Sequence, residues 1–219
     1  LHNIFKVQPG HYLKVTKNQI VEEQYYKTEI RESHYHQYSY VEAQQKLKQL
    51  LHDSVQERMI ADVPIGAFLS GGIDSSLVVA LAAQLTTKLH TFSIGYKDFP
   101  LFDETKYALS VAKKYQTEHE VFKLSNTDFV EEIDNVLDAI DEPFADSSAI
   151  PQYILSKRTK SFAKVALSGD GGDEVFAGYN KHKGEWIYRN NKLLVWAMAN
   201  TNLVLKHLPK GKGSKAGEL

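Results

Sequence analysis

The chain has 219 residues, enough for one sizeable domain with a buried core. Its 26 lysines and arginines nearly balance 27 acidic residues, and the net charge of −1 argues against a nucleic-acid or membrane-surface partner. The absence of cysteine excludes disulfides, thiolate metal sites and a cysteine nucleophile within this sequence.

The first 40 residues predict a small β segment followed by a linker. Residues 1–28 are typical of two short strands around "QPGH", with Pro9-Gly10 as the turn. Residues 28–40 are polar and aromatic without helical period, and we interpret them as a linker. The chain begins on strand-like sequence without Met, so we expect it to be a piece of a longer protein. It has neither a signal-peptide pattern nor the run of about 20 apolar residues that a membrane span requires, so we expect a cytoplasmic protein.

Strands and helices alternate in the rest of the chain. A helix is predicted over 41–59, because apolar residues recur there at helical spacing. The pattern then predicts strands at 63–69, 89–96, 118–124 and 163–169, and helices at 74–85, 103–116, 128–140 and about 150–162. This alternation indicates an α/β fold with a parallel sheet covered by helices. Residues 184–208 are predicted to be helical, and 209–219 to be a mobile tail.

The first candidate site is "LSGGIDSS" (69–76), where the first strand of the alternation turns into a helix. A helix N-terminus presents unpaired N–H groups and the positive end of the helix dipole to an anion. Gly71 and Gly72 allow close approach of the backbone to a ligand, and the hydroxyls of the loop add donors. These features predict a phosphate cradle made by Ser70, Gly71, Gly72, Ser75 and Ser76, with Asp74 as a magnesium ligand.

Two common phosphate-binding motifs do not fit this loop. A Walker A loop requires lysine where Gly72 stands, and the dinucleotide fingerprint requires spaced glycines, whereas here only adjacent ones occur. The pattern Ser-Gly-Gly-x-Asp-Ser directly after a buried strand resembles the PP-loop of the ATP pyrophosphatases, which bind the β- and γ-phosphates and cleave ATP to AMP and pyrophosphate. The alternative is an ordinary strand–turn–helix junction in which Asp74 or Ser75 is the N-cap.

A second loop, "VALSGDGGDEVFAGY" (165–179), has the same design. Two strands that each end in Leu-Ser-Gly are predicted to be neighbours on either side of a topological switch point. The acids Asp170, Asp173 and Glu174 would then face Asp74, and a divalent cation would be needed between these acids and phosphate. This favours magnesium shared by Asp74 and Asp173. The alternative is a glycine-rich loop with solvated acids.

Five segments together resemble one enzyme family. "DVPIGAFLSGGIDSSLVVALAA", "LHTFSIGY", "FDETKYALSVAKKY", "DEPFADSSAIPQYILSK" and "ALSGDGGDEVFAGYNKH" occur in the order found in the synthetase domain of glutamine-dependent asparagine synthetases. The resemblance covers about residues 41–182 and implies an adenine nucleotide alpha hydrolase-like fold of the PP-loop type. It also implies four regions: the end of a glutaminase-type domain at 1–27, the linker at 28–40, a synthetase domain at 41–208 and the tail at 209–219.

The resemblance also implies roles for single residues. Residues 69–75 would hold ATP, the backbone of Ile94 would contact the adenosine, and Ser168 and Gly169 would contact the nucleotide. Asp170 stands where the family usually has a glutamate tied to acyl-adenylate formation, and this departure leaves the acceptor acid open. The implied nucleotide-binding residues are Leu69, Ser70, Gly71, Gly72, Asp74, Ser75, Ser76, Ile94, Ser168 and Gly169. The implied catalytic residues are Asp74, Asp170 and Asp173, of which Asp74 and Asp173 would bind Mg²⁺.

The implied reaction is ATP-dependent amide synthesis. The carboxylate of aspartate would attack ATP to give β-aspartyl-AMP and pyrophosphate, and ammonia would then displace AMP. The ammonia would come from glutamine through the missing glutaminase domain. The protein would be a ligase, and a homodimer is a compatible assembly. Two alternatives stay open: amidation or cyclisation of another carboxylate, of the uronic acid or β-lactam type, and a non-catalytic nucleotide-binding module.

Overall fold

The computed structural model describes residues 3–28, 37–142 and 145–191. The chain divides into two compact units, Leu1–Leu50 and Leu51–Leu219, and helix α1 (Tyr40–Arg58) spans the boundary. The four-region division at residues 27, 40 and 208 stays a prediction. Most of the predicted linker and all of the predicted tail segment lie outside the described residues. In the described part of the chain, no helix is both long and apolar enough to cross a membrane.

The first unit contains an antiparallel hairpin of β1 (His11–Val15) and β2 (Ile20–Gln24). The turn lies at 16–19, where the N–H of Thr16 donates to the carbonyl of Gln19 at 2.9 Å. The predicted arrangement around Pro9-Gly10 is therefore wrong, because both strands follow that dipeptide. Gly10 has a φ of +71°, and its carbonyl accepts hydrogen bonds from the N–H groups of Tyr25 and Tyr26. It therefore lies directly before β1, next to the end of β2, and does not connect two strands.

The second unit alternates strands and helices as predicted. Its elements are β3 (Ile65–Phe68), α2 (Ile73–Ala82), β4 (His90–Tyr96), a 3-10 turn (Pro100–Phe102), α3 (Thr105–Tyr115), β5 (Glu118–Leu124), α4 (Asn126–Ala139), α5 (Ala149–Thr159), β6 (Val165–Leu167), α6 (Gly172–Phe176) and α7 (Asn180–Asn190). The five-residue α6 was not predicted. Helix α7 begins four residues before the predicted start at 184, and residues 192–208 lie outside the described part.

The four strands of this unit form a parallel sheet in the order β5-β4-β3-β6. Gly66 of β3 pairs with His90 on one side and with Ala166 on the other. The chain runs from β3 outward through β4 and β5, then returns to add β6 on the opposite side of β3. The α/β prediction is confirmed, and the direction of winding reverses between β3 and β6, which is where such sheets bind ligands.

Side chains that alternate along the strands form a core on each face of the sheet. One face packs under α2 and α3, with α1 at its margin; its buried residues are Val55, Ala67, Leu69, Val79, Leu81, Ala82, Leu89, Ala108 and Ala112. The other face packs under α5 around the fully buried Phe92, whose ring stacks on Phe122 at 6.2 Å between centroids. This three-layer packing holds the strand ends in place and leaves their carboxyl edge open.

Candidate functional site

A cavity of about 920 Å³ lies at the carboxyl edge of the sheet, where β3, β4 and β6 end. This volume is at the upper end of the range of small-molecule sites, about 300–1,000 Å³. Ten of the predicted site residues line it: Leu69, Ser70, Gly72, Asp74, Ser75, Ile94, Ser168, Gly169, Asp170 and Asp173. The structure therefore brings the two predicted loops and the end of β4 to one place.

The loop after β3 is closed by hydrogen bonds between its own serines. The Ser75 hydroxyl oxygen lies 3.2 Å from the Ser70 backbone nitrogen and 2.9 Å from the Ser70 hydroxyl oxygen. The N–H of Gly72 donates to the Ser70 hydroxyl oxygen at 3.2 Å. These bonds hold the loop in a tight turn with hydroxyls and backbone amides concentrated next to the start of α2.

Helix α2 begins at Ile73 with Gly72 as its N-cap, and no side chain caps it. The alternative in which Asp74 or Ser75 is the N-cap is therefore wrong. Because Gly72 has no side-chain oxygen to occupy the first-turn N–H groups, this end of the helix keeps the donors that an anion would use.

Gly71 serves packing as well as turn geometry. Its φ of +87° lies in the left-handed region that favours glycine. A Cβ here would lie 2.5 Å from the Tyr107 Cβ and 2.6 Å from the Ala108 nitrogen, both in α3. The sequence interpretation assigned this glycine to close approach of a ligand, whereas the structure shows close approach of a helix, and Gly71 does not line the cavity.

The loop after β6 packs directly on the loop after β3. A Cβ at Gly169 would lie 2.6 Å from the Ser75 backbone nitrogen, and one at Gly172 would lie 2.6 Å from the Asp74 Cγ. The prediction that the two Leu-Ser-Gly strands are neighbours is confirmed. Both contacts require glycine, because the loops meet at a separation that leaves no room for a side chain.

Asp170 is held by its own loop. Its N–H donates to the Ser168 hydroxyl oxygen at 3.3 Å, and the Ser168 hydroxyl donates to Asp170 Oδ2 at 3.0 Å. This reciprocal pair fixes the exposed carboxylate relative to the end of β6 and keeps it on the cavity wall.

The described lining of the cavity is acidic. Its charged side chains are Asp74, Glu104, Asp170, Asp173 and Glu174, and none of the described lining residues is Lys, Arg or His. The Tyr179 hydroxyl donates to Glu174 Oε1 at 2.6 Å. That bond lowers the pKa of Glu174 and raises the pKa of Tyr179 to about 12. A polyanionic ligand would need a cation between itself and these carboxylates.

Magnesium fits the donors present at the meeting point of the loops. Mg²⁺ is usually held by one or two carboxylates together with phosphate oxygens and water. The Asp74 carboxylate lies against Gly172, and Asp173 follows directly in α6. Over residues 3–28, 37–142 and 145–191, no group of three or more His, Asp or Glu is arranged to hold a metal without such additional ligands.

Two predicted binding residues, Gly71 and Ser76, lie outside the cavity wall, and several wall residues were not predicted. The Ser76 hydroxyl is buried without a hydrogen-bond partner, and Ser76 does not line the cavity. The unpredicted lining includes Ser93, Tyr96, Glu104, Gln152 and Tyr179. They come from β4, the approach to α3, α5 and the end of the second loop, and although they lie within the quoted segments, no role was predicted for them from the sequence.

The asparagine synthase family model matches residues 46–216. The chain belongs to the asparagine synthase family. The chain is similar to a putative glutamine-hydrolysing asparagine synthetase of Methanocaldococcus jannaschii, with 49% identity over 62% of this chain and 26% of the relative. It is also similar to a glutamine-hydrolysing asparagine synthetase of Bacillus subtilis, with 38% identity over 63% of this chain and 22% of the relative. A further one in Mycobacterium tuberculosis is 34% identical over 76% of this chain and 26% of the relative. The chain thus matches about a quarter of the length of these asparagine synthase relatives.

A solved NH3-dependent NAD synthetase from Campylobacter jejuni is 17% identical to this asparagine synthase family chain. The similarity covers 62% of this chain and 60% of that chain, with a TM-score of 0.42. A similarity at this level supports no conclusion about function.

Proposed function

We propose that this chain is part of a ligase that uses ATP to convert aspartate to asparagine through a β-aspartyl-AMP intermediate. Ammonia would come from glutamine, supplied by a glutaminase domain of the longer protein. The observation that carries the proposal is the contact between the two Leu-Ser-Gly loops, in which Gly169 and Gly172 pack against the start of α2. The match to the asparagine synthase family supports it.

In this proposal the triphosphate lies between the two loops. Its β- and γ-phosphates accept hydrogen bonds from the amides and serine hydroxyls of residues 69–75, while Ser168 and Gly169 contact the nucleotide from the other side. The backbone of Ile94, at the end of β4, contacts the adenosine. The hydrogen bonds between Ser70 and Ser75 support this assignment, because they preorganise the donors before the ligand arrives.

Asp74 and Asp173 would hold Mg²⁺, which would neutralise the phosphate charge as pyrophosphate leaves. The contact between Gly172 and Asp74 supports this role, because the missing side chain of Gly172 lets the second loop reach the carboxylate. The acidic lining described above supports a metal-bound nucleotide, since five carboxylates would otherwise repel the phosphates.

Asp170 would act in formation of the acyl-adenylate. The reciprocal hydrogen bonds with Ser168 orient its carboxylate toward the cavity and restrict its motion. Because Asp170 is one methylene shorter than the glutamate usual in the family, a different acceptor carboxylate is the second candidate substrate. The presence of both Asp74 and Asp173 on the cavity wall disfavours a module that only binds nucleotide, because simple binding has little need for two metal carboxylates.

The test is release of AMP and pyrophosphate from ATP by the full-length protein, with ammonia and a panel of carboxylic acids. We expect aspartate to stimulate release and D74N or D173N to reduce kcat by at least about 100-fold, since each removes a carboxylate that would hold the Mg²⁺ that neutralises the leaving pyrophosphate. The matched control is Asp138→Asn, on the exposed surface of α4, which should leave the rate unchanged. Formation of ADP and phosphate instead of AMP and pyrophosphate would contradict the proposal, and release stimulated only by another acid would favour the second candidate.

A further inference from the structure

A partly buried polar network lies between β4 and β5, on the face covered by α3. His119 Nδ1 lies 2.9 Å from the Thr91 hydroxyl oxygen, and His119 Nε2 lies 3.1 Å from the Ser93 hydroxyl oxygen. The Thr91 hydroxyl oxygen is also 2.7 Å from that of Thr117. Thr91 is fully buried and Ser93 is 4% exposed, so these hydroxyls depend on one another for hydrogen bonds.

Ser93 differs from the other members of this network because it also lines the site cavity. We propose that Ser93 contacts the nucleoside part of the nucleotide and that His119 is a positioning residue that orients the Ser93 hydroxyl. This inference rests on the proposed function, because it requires the nucleotide to occupy the cavity.

The hydrogen-bonding capacity of the two side chains supports this arrangement. A serine hydroxyl has one donor and two acceptor positions, so a single bond to His119 leaves capacity for a ligand. Burial lowers the pKa of His119, which keeps the imidazole neutral at pH 7, with one nitrogen donating and the other accepting. A neutral ring bridging two hydroxyls holds the Ser93 hydroxyl in one position, and the contact with Thr91 holds the ring from its other side.

Sheet topology indicates the nucleoside rather than the phosphates. The proposed phosphate cradle lies between the loops after β3 and β6, whereas β4 flanks β3 on the side away from β6. A nucleotide with its phosphates between those loops would reach β4 with its sugar or base. Ser93 directly precedes Ile94, the residue proposed to contact the adenosine through its backbone.

Four variants separate this role from a purely structural one. S93A removes the proposed contact. H119Q places an amide nitrogen near the position of Nε2 and can still bond Ser93, while H119N places one near Nδ1 and can bond only Thr91. The matched control, Thr117→Val, breaks the far end of the same network without touching Ser93 or the cavity.

Binding is measured by calorimetry on the full chain with two magnesium-bound probes. These are α,β-methylene-ATP, which resists cleavage at the α-phosphorus, and inorganic tripolyphosphate, which lacks the nucleoside. We expect S93A and H119N to weaken nucleotide binding by about three- to tenfold, the effect of one hydrogen bond, with tripolyphosphate binding unchanged. The nucleotide affinity of H119Q should stay within about twofold of that of the unmodified chain. T117V should bind both probes normally even if its melting temperature falls.

Three results would overturn the inference while leaving the proposed function intact. The first two are nucleotide binding unaffected by S93A and equal losses of nucleotide affinity in H119Q and H119N. Parallel losses of both probes in S93A would likewise overturn it, because they would show a general change in the fold. Failure of the unmodified chain to bind either probe would contradict the proposed function and this inference together.

Discussion

The contact between the two loops makes Gly169→Ala the most informative substitution in the site. An added Cβ would lie 2.6 Å from the Ser75 nitrogen and 2.9 Å from both the Asp74 carbonyl carbon and its Cβ. Two of these three atoms belong to the backbone of α2, so they cannot turn aside as the end of a flexible side chain would. Restoring an ordinary contact of 3.4 Å requires the second loop to separate from α2 by about 0.8 Å.

That displacement predicts a large loss of activity with a moderate loss of stability. A misplacement near 1 Å in a reacting site can cost about 100-fold in rate, and overpacking costs about 1–3 kcal/mol. We therefore expect G169A to lower kcat/KM for AMP release by about 100-fold in the full-length protein, while its melting curve shows a folded protein. The matched control is Gly184→Ala in α7, where nothing lies within 4 Å of the added Cβ. G169A with normal activity would refute the reasoning, because it would show that the spacing of the loops does not matter to catalysis.

Three further predictions concern stability and pH. G71A should lower the free energy of unfolding by at least about 2 kcal/mol in urea titrations, because it combines a left-handed backbone with a clash against α3. A loss of unfolding free energy below about 1 kcal/mol would contradict the packing described. Hydrogen bonds from Ser125, and to a smaller extent the bond from Arg158, lower the pKa of Asp128 to about 2, so D128N should destabilise the protein at pH 7. The difference in unfolding free energy between D128N and the unmodified protein should shrink as the pH falls from about 4 toward 2, since the native carboxylate then loses its charge. A difference that does not change with pH would argue against this cause. Y179F removes the hydrogen bond that lowers the pKa of Glu174, so that pKa should rise toward its ordinary value in an NMR titration, and an unchanged value would show that the bond is absent in solution.

The sequence was sufficient to predict the order of elements in the second unit, because strand and helix periodicities are local properties of the chain. It also predicted that the loops at 69–76 and 165–179 meet, because both strands end in the same Leu-Ser-Gly pattern and parallel strands present their carboxyl ends at one edge. The hairpin was placed wrongly for a local reason: Pro9-Gly10 is a strong turn signal, but the shorter turn at 16–19 allows the cross-strand pairing that stabilises β1 and β2.

Tertiary structure decided which residues of those loops face the cavity. Gly71 and Ser76 belong to the motif, yet Gly71 packs against α3 and the Ser76 hydroxyl is buried away from the cavity. No role was predicted for Ser93 or His119 from the sequence, and only the pairing of β4 with β5 brings the imidazole to the serine hydroxyl. A local pattern specifies what a segment forms, whereas the direction of each side chain depends on contacts between segments that are distant in sequence. The chemistry of the loops could therefore be predicted from the sequence, whereas the fold decided which loop residues pack against other elements and which face the cavity.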